Sequence, residues 1–279
     1  MTYLKQRKLF CQRNKLFYKI SLIKEYLLRD IKSLLSGNKF AKKRSAEKLP
    51  NIIKGHRSIL IRKLHGVYLE LQQNKVKNLE LASSKIDGLI IRSGEVFSFW
   101  KTVGNATKRK GYLEGLVISN SKINSGIGGG LCQLANMVHW LVLNSPLEII
   151  EIHHHSDALF PDEQRRVPFG TGTSIFYKNI DYQFKNTSKQ NVQLSFWLDE
   201  TDLCGELRSE SPFPYRYKIF EENHHFIKED DGYYRVSQVY RATIDRETNK
   251  EIARDLILDN HSKVMYDVSL IPKEQLMQV

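Results

Sequence analysis

One cysteine, Cys132, follows a run of glycines and precedes an apolar segment with helical spacing. The run is Gly128-Gly129-Gly130, and the apolar positions from Leu134 to Val142 recur every three or four residues. This pattern predicts a helix that starts around Cys132. Free N–H groups and the helix dipole favour an anion at a helix start, so a thiol there is expected to have a lowered pKa and to be a nucleophile.

The residues around this cysteine have types that suit the same chemistry. Backbone without side chains lets a substrate approach closely, and the amides of residues 130–133 could donate to an oxyanion. The sequence therefore predicts substrate binding at Gly128, Gly129, Gly130 and Gln133. The alternative is structural: the glycines form a tight turn and Cys132 is a small, unreactive core residue.

Two histidines are the predicted general bases. His153 and His155 follow a β-prone run, and on a strand they share one face while His154 points the other way. Either imidazole could take the proton of Cys132, and Asp181 in a later strand could fix the tautomer of that imidazole. The predicted catalytic set is that of a thiol hydrolase or acyltransferase acting on a peptide or amide: Cys132, His153, His155 and Asp181.

The same segment also allows a metal site. His153, His155 and Asp157 form an H-x-H-x-D pattern, and imidazole with carboxylate suits zinc, so a zinc-dependent hydrolase is an alternative. Zinc hydrolases with this pattern carry another histidine directly after the aspartate, where this chain has Ala158. A third reading is a polar strand end whose histidines bond to the backbone. In the thiol reading Asp157 competes with Asp181 as the orienting carboxylate, and no cofactor is predicted.

Three further residues are assigned roles. Arg165 and Arg166 form a basic pair between two turns, where they could hold a substrate carboxylate bidentately or form a solvated loop. His139 lies seven residues after Cys132, which is about 10 Å along a helix axis. That distance is too great for a direct base, so we expect a core histidine with its hydrogen bonds satisfied.

The charge of this 279-residue chain is concentrated at one end. Residues 1–80 hold 20 Lys/Arg and 5 Asp/Glu, whereas residues 81–279 hold 23 and 26. The main body is therefore near neutral, and a nucleic-acid surface is not indicated. Apolar residues recur with a helical period through residues 9–35, among many Lys and Arg. This basic helix could contact an anionic membrane through residues 1–36, or dock on the body with its basic face in water.

The rest of the chain predicts an α+β fold: basic N-terminal helices, a mixed domain with a buried helix packed on an antiparallel sheet, and a β-rich C-terminal part. Residues 39–48 are predicted to form a linker, and residues 49–91 are predicted to be mainly helical. Short strands are predicted at 89–91, 96–100, 116–118 and 180–184, a hairpin at 193–207, and C-terminal strands at 215–220, 233–244 and 251–258. The predicted domains are residues 1–48, 49–210 and 211–279.

The amino-acid composition limits the cellular compartments in which the protein is expected. No apolar run reaches the roughly 18–20 residues that a transmembrane helix needs, and residues 1–10 lack the features of a secretory signal. Three cysteines without a CxxC pattern fit a reduced compartment. These features predict a cytoplasmic protein that can lie peripherally on the inner face of the membrane.

Between residues 94 and 186 the chain carries a long, ordered series of motifs and resembles the VanW family, named for an accessory protein of B-type vancomycin-resistance clusters. The motifs include Gly94-Glu95-Val96-Phe97-Ser98-Phe99-Trp100, Arg109-Lys110-Gly111-Tyr112, Gly128-Gly129-Gly130-Leu131-Cys132-Gln133-Leu134, His155-Ser156, Phe160-Pro161-Asp162 and Pro168-Phe169-Gly170. Cys132, His153, His155 and Asp181 fall on motif positions.

The resemblance implies an association with the cell envelope and with glycopeptide resistance, and it supplies no reaction. The family pattern has arginine where this chain has Ile152 and His154, so no role of those arginines carries over. Besides an enzyme, a binding module is open: the glycine turn and the Arg165-Arg166 pair would hold a peptide or an envelope precursor without chemistry.

Overall fold

The computed structural model describes residues 13–61, 69–119, 122–154, 157–161 and 166–277. Its helices are α1 (Lys15–Leu35), α2 (Leu69–Ile86), α3 (Phe99–Val103) and α4 (Cys132–Leu143). Its strands are β1 (Asn51–Ile59), β2 (Leu89–Ile91), β3 (Val96–Ser98), β4 (Glu114–Ser119), β5 (Lys122–Ile127), β6 (Glu148–Glu151), β7 (Asp157–Ala158), β8 (Gln183–Lys185), β9 (Val192–Leu198), β10 (Asp202–Ser209), β11 (Tyr215–Glu229), β12 (Gly232–Asp245), β13 (Glu251–Val264) and β14 (Leu276–Met277).

The central layer is an antiparallel sheet in the order β1-β10-β9-β2. Helix α4 packs on β1 and β10, and α2 packs on β9. The apolar side of α4 is fully buried, because Leu134, Val138 and Leu141 have no exposed surface. The predicted α+β fold, with a buried helix on an antiparallel sheet, is confirmed.

Strand β1 corrects the prediction that residues 49–91 are mainly helical. Among the described residues of that span only α2 is a helix, whereas Asn51–Ile59 pairs with β10 from Asn51↔Ser209 to Ile59↔Asp202. Ile52, Ile53 and Ile59 are β-branched residues that suit a strand, and pairing with β10 satisfies the backbone.

Residues 39–48, predicted to be a linker, run along the body. The amide of Ala41 donates to Val96 O at 2.9 Å, and the amide of Ser45 donates to Gly88 O at 2.9 Å. The segment therefore extends the edges of β2 and β3, and helix α1 is attached by an ordered strip of backbone.

Two smaller sheets complete the main body. Strands β3-β8-β6 form an antiparallel sheet, and β4 and β5 form a hairpin. The predicted strand at 96–100 is shorter than expected, because Ser98 caps α3: its Oγ accepts the amide of Lys101 at 3.2 Å. Phe99 and Trp100 therefore begin a helix.

The predicted β-rich C-terminal part is confirmed. Strands β11, β12 and β13 form a long antiparallel sheet, to which β14 and β7 add as parallel edge strands. Buried Arg235 of this sheet lies over the ring of Phe169, 4.0 Å from its centroid. This contact and the β13–β7 pairing attach the C-terminal sheet to the loops that follow β6. No helix among the described residues is both long and apolar enough to cross a membrane.

Candidate functional site

Helix α4 begins at Cys132, as the sequence predicts. Gly128 and Gly130 have φ values of +77° and +91°, so the turn before the helix uses a conformation that favours glycine. Gly129 lies against the backbone of Gly115, where an added Cβ would come within 2.1 Å of the carbonyl carbon.

The glycine turn is filled by the protein itself. A Cβ on Gly130 would lie 2.1 Å from Cγ of Lys75, and the buried side chain of Asn78 donates to Gly129 O at 2.9 Å. The amides of Gly129 and Gln133 donate to Gly126 O and Gly130 O. The backbone groups predicted to receive a substrate therefore hold the turn together.

Gln133 also has an internal role. Its amide nitrogen donates to Ser58 Oγ at 3.0 Å and to Ile59 O at 2.9 Å, which joins the first turn of α4 to β1. The structure thus gives Gln133 a positioning function where the sequence predicted substrate contact.

The thiol of Cys132 does not have the predicted lowered pKa. Burial raises the pKa of this half-buried thiol above its ordinary value of 9.0, and hydrogen bonds from the backbone of Ile175 and of Cys132 itself oppose the shift only in part. Desolvation of the thiolate outweighs these two backbone hydrogen bonds. The prediction of a lowered pKa is wrong for this reason.

A segment of backbone separates Cys132 from the neighbouring histidine. Thr173 donates its amide to Asn136 Oδ1 of α4 at 2.7 Å, and the next residue, Ser174, donates to His153 O at 2.7 Å. Residues 173–175 therefore lie between α4 and residue 153. Among the described residues, no hydrogen bond joins Cys132 to a histidine.

The two described histidines face the opposite way from the prediction. His153 Nε2 lies 3.4 Å from Glu151 Oε1, away from α4. The ring of His154 lies 6.3 Å from that of His139 on α4, and its Nδ1 is 3.1 Å from Gly170 O. Strand β6 ends at Glu151, so the alternation of a strand does not extend to the two histidines. The contacts of the irregular segment after Glu151 set the directions of their side chains. His155 lies outside the described residues.

Asp181 is bound elsewhere. Its buried carboxylate accepts the Ser98 hydroxyl at 2.5 Å, the Gln183 amide group at 2.9 Å, and the backbone N–H groups of Trp100 and Tyr182 at 3.0 Å each. It bonds neither of the described histidines, so it does not orient His153, and the predicted pairing with His155 falls outside the described residues. Its hydrogen bonds instead fix the start of α3 against β8.

His139 has the predicted role of a core histidine. It is 2% exposed, and its Nδ1 lies 3.2 Å from the hydroxyl oxygen of Tyr182. Burial, and to a lesser extent the neighbouring His154, lowers the pKa of His139 to about 3.

Arg166 is the described member of the predicted basic pair, since Arg165 lies outside the described residues. Its guanidinium donates to Asp202 Oδ1 at 3.0 Å and to Arg57 O at 3.2 Å. It therefore has an internal carboxylate partner and lies beside the edge strand β1.

A cationic and aromatic surface that the sequence analysis missed lies at this edge. Lys54 Nζ lies 5.7 Å from the ring centroid of Trp140, and the His56 ring lies 5.7 Å from the same ring. We call Lys54, His56, Trp140 and Arg166 the β1 patch. Burial lowers the pKa of His56 to about 4, and the charges of Lys54 and Arg166 add to this effect.

Lys54 is the group in the β1 patch most open to an anion. Burial lowers the pKa of its half-buried ammonium group, and among the described residues no carboxylate lies within ion-pair distance of it. Lys54 and His56 lie on one face of a strand. The prediction that residues 49–91 are mainly helical did not place them together.

The zinc alternative requires His155, which lies outside the described residues. Among the residues that the structure describes, no three His, Cys, Asp or Glu side chains form a metal-binding group. His155 would be the middle ligand, and the backbone of Asp157 pairs with Lys263 in the β7–β13 ladder.

Alkylation of Cys132 should be slow at neutral pH, because burial raises the pKa of the thiol and few molecules carry a thiolate. We expect iodoacetamide to modify an unhindered model thiol faster at pH 7.5, and the rate at Cys132 to rise steeply only above pH 9. Peptide mass analysis over a pH series measures this, with buried Cys204 as the internal comparison. Rapid modification of Cys132 at pH 7 would restore the nucleophile.

Comparisons with known proteins identify a matching family and two relatives. The family described as VanW like protein matches residues 74–208. The Vancomycin B-type resistance protein VanW of Enterococcus faecalis (strain ATCC 700802 / V583) is 32% identical over 201 residues, which cover 72% of this chain and 73% of that protein. The Uncharacterized protein YoaR of Bacillus subtilis (strain 168) is 27% identical over 120 residues, 43% of this chain and 38% of that protein. No solved structure matches the chain.

Proposed function

This chain belongs to the VanW family, and on that premise we propose that it acts in glycopeptide resistance at the cell envelope by binding an anionic peptide or envelope precursor. The name of the Enterococcus relative supports the link to vancomycin resistance. That name gives no binding role, ligand or binding surface, and we propose all three. The alternatives are a Cys–His thiol hydrolase or acyltransferase and a zinc-dependent hydrolase.

The surroundings of Cys132 support binding without thiol catalysis. A thiol enzyme needs a base within hydrogen-bond reach of its nucleophile. Residues 173–175 separate Cys132 from His153, and the pKa of the thiol is raised. The amide of Gln133, one of the four expected to serve an oxyanion, donates within the turn to Gly130 O.

The β1 patch supplies the observation on which the proposal rests. The Lys54 ammonium group lies over the Trp140 ring, and no described carboxylate neutralises it. A partly desolvated cation attracts a carboxylate more strongly than one in bulk water. Arg166 adds a second positive charge near His56, and the half-buried His56 ring covers part of the buried Trp140 ring. A peptide with a free C-terminal carboxylate fits this combination.

Binding to a short peptide with a free C-terminal carboxylate should depend on Lys54. Calorimetric titration of the full chain should detect this peptide and show much weaker binding of its C-terminal amide. Lys54→Gln should weaken binding about tenfold, a loss of roughly 1.4 kcal/mol. Lys250→Gln, at an exposed lysine in the turn between β12 and β13, is the matched control and should bind as the parent does.

Four outcomes would overturn the proposal. Equal binding of the acid and the amide, or no binding of either, would remove the carboxylate site. Hydrolysis of the peptide that is lost in Cys132→Ser would establish the thiol enzyme. Hydrolysis that is lost on chelation and restored by zinc would establish the metal enzyme.

A further inference from the structure

Helix α1 contacts the body through polar side chains and through the ring of Tyr26, whose centroid lies 6.3 Å from that of Tyr177. Arg29 donates to both carboxylate oxygens of Glu151, at 2.8 and 2.7 Å, and to Asn179 O at 2.9 Å. One residue along, Asp30 accepts a hydrogen bond from Lys178 at 2.6 Å. These contacts hold the helix on the outer side of β6 and of the loop before β8.

This docking leaves the apolar side of α1 in water. We call the six residues that recur at helical spacing along this side the apolar stripe, and all of them are 45–82% exposed: Leu16, Ile20, Ile23, Leu27, Ile31 and Leu34. The sequence offered docking on the body with a basic face in water as one reading. The structure shows the helix docked on the body, and the apolar stripe faces outward together with exposed lysines. Such a continuous exposed surface on a helix indicates a partner.

The charges beside the apolar stripe indicate what that partner is. At about 100° per residue, exposed Lys19 and Lys24 fall on opposite borders of the stripe. Residues 1–36 hold nine Lys or Arg and two Asp or Glu, a net charge of +7. Asp30, the acid nearest the stripe, is paired with Lys178. An apolar stripe bordered by lysines matches the boundary between acyl chains and anionic headgroups.

We propose that α1 lies in the plane of an anionic phospholipid membrane, with the apolar stripe inserted among the acyl chains and Lys19 and Lys24 at the headgroups. Arg29 then holds the rest of the protein against the membrane through Glu151. This inference does not depend on the ligand of the β1 patch, because the two surfaces share no residue.

Sedimentation of the full chain with lipid vesicles tests the proposal. The parent protein should bind vesicles containing 30% phosphatidylglycerol at low salt, bind pure phosphatidylcholine vesicles at least about tenfold more weakly, and lose affinity at high salt. The double variant Ile23→Asp, Leu27→Asp should bind the anionic vesicles about tenfold or more weakly, because it places charge within the inserted surface.

A matched control keeps the test specific. Ile252 and Leu256 on β13 are 55% and 52% exposed, so Ile252→Asp, Leu256→Asp adds the same charge at equally exposed apolar positions. This control should bind vesicles with less than a twofold change, and circular dichroism should show the same thermal midpoint for all three proteins. Absence of binding at low salt, or equal loss in the control, would overturn the proposal. A concentration-dependent dimer that the stripe variant dissociates would assign the stripe to a second copy instead.

Discussion

Replacing Asp181 with alanine should lower the free energy of unfolding by about 4 kcal/mol, because it leaves several buried donors without an acceptor. The carboxylate is 2% exposed and receives the Ser98 hydroxyl, the Gln183 amide group and the backbone N–H groups of Trp100 and Tyr182. The backbone donors cannot turn toward water without unwinding the start of α3. Burial raises the pKa of Asp181, and the hydrogen bonds from Ser98, Trp100 and Gln183 oppose this shift.

Urea denaturation followed by circular dichroism measures this loss. Asp181→Asn keeps the shape and one acceptor oxygen, so we expect a smaller loss of about 1–2 kcal/mol. Asp255→Ala removes an exposed carboxylate that lies 3.4 Å from Arg241, and should cost less than about 0.5 kcal/mol. Full stability of Asp181→Ala would contradict the structural role, and loss of a Cys132-dependent activity in that stable variant would restore Asp181 as an orienting residue.

Local patterns predicted the elements that carry their own signal. The helical spacing after Cys132 located α4, and the alternating runs located β9 and β10 together with the turn at 199–202. Side-chain period and turn chemistry are written within a few residues, so a single sequence is enough to find them. Strand β1 carries a weaker local signal, and the partner that makes it a strand, β10, lies more than 140 residues further along the chain.

The candidate site was harder to predict, because its geometry depends on segments that are distant in sequence. The position of residues 173–175 between α4 and His153 cannot be read from the spacing of Cys132 and the histidines. The thiol pKa depends on two opposed effects, and only the packed structure shows that burial exceeds the contribution of the backbone hydrogen bonds from Ile175 and Cys132. The family motifs include residues that shape the surroundings of Cys132. Several of these residues make internal contacts.

Acidification should destabilise the protein through His139. Burial lowers the pKa of this histidine to about 3 from an ordinary value of 6.5, so the folded protein keeps it neutral where the unfolded chain takes up a proton. The unfolded state binds more protons between those two values, and its free energy falls relative to the folded state as pH decreases. The contribution of His139 is complete above pH 6.5 and is lost as the pH falls toward 3.

The expected loss is about 2–3 kcal/mol between pH 7 and pH 4.5, since each pH unit below the unfolded pKa costs about 1.4 kcal/mol. Half-buried His56, whose pKa is lowered to about 4, adds a smaller loss of the same sign because solvent screens it. The parent therefore needs comparison with a variant that lacks only the His139 titration.

His139→Asn provides that comparison, because its side chain can still meet the Tyr182 hydroxyl that His139 Nδ1 approaches at 3.2 Å. The variant should be less stable than the parent at pH 7, and the difference between them should shrink by about 2–3 kcal/mol by pH 4.5. Urea titrations at half-unit pH steps measure it, with His225→Asn as the control for removing an exposed imidazole. A difference that is constant across this range would mean that His139 titrates alike in both states, and that the pocket formed by Tyr182 and α4 admits water.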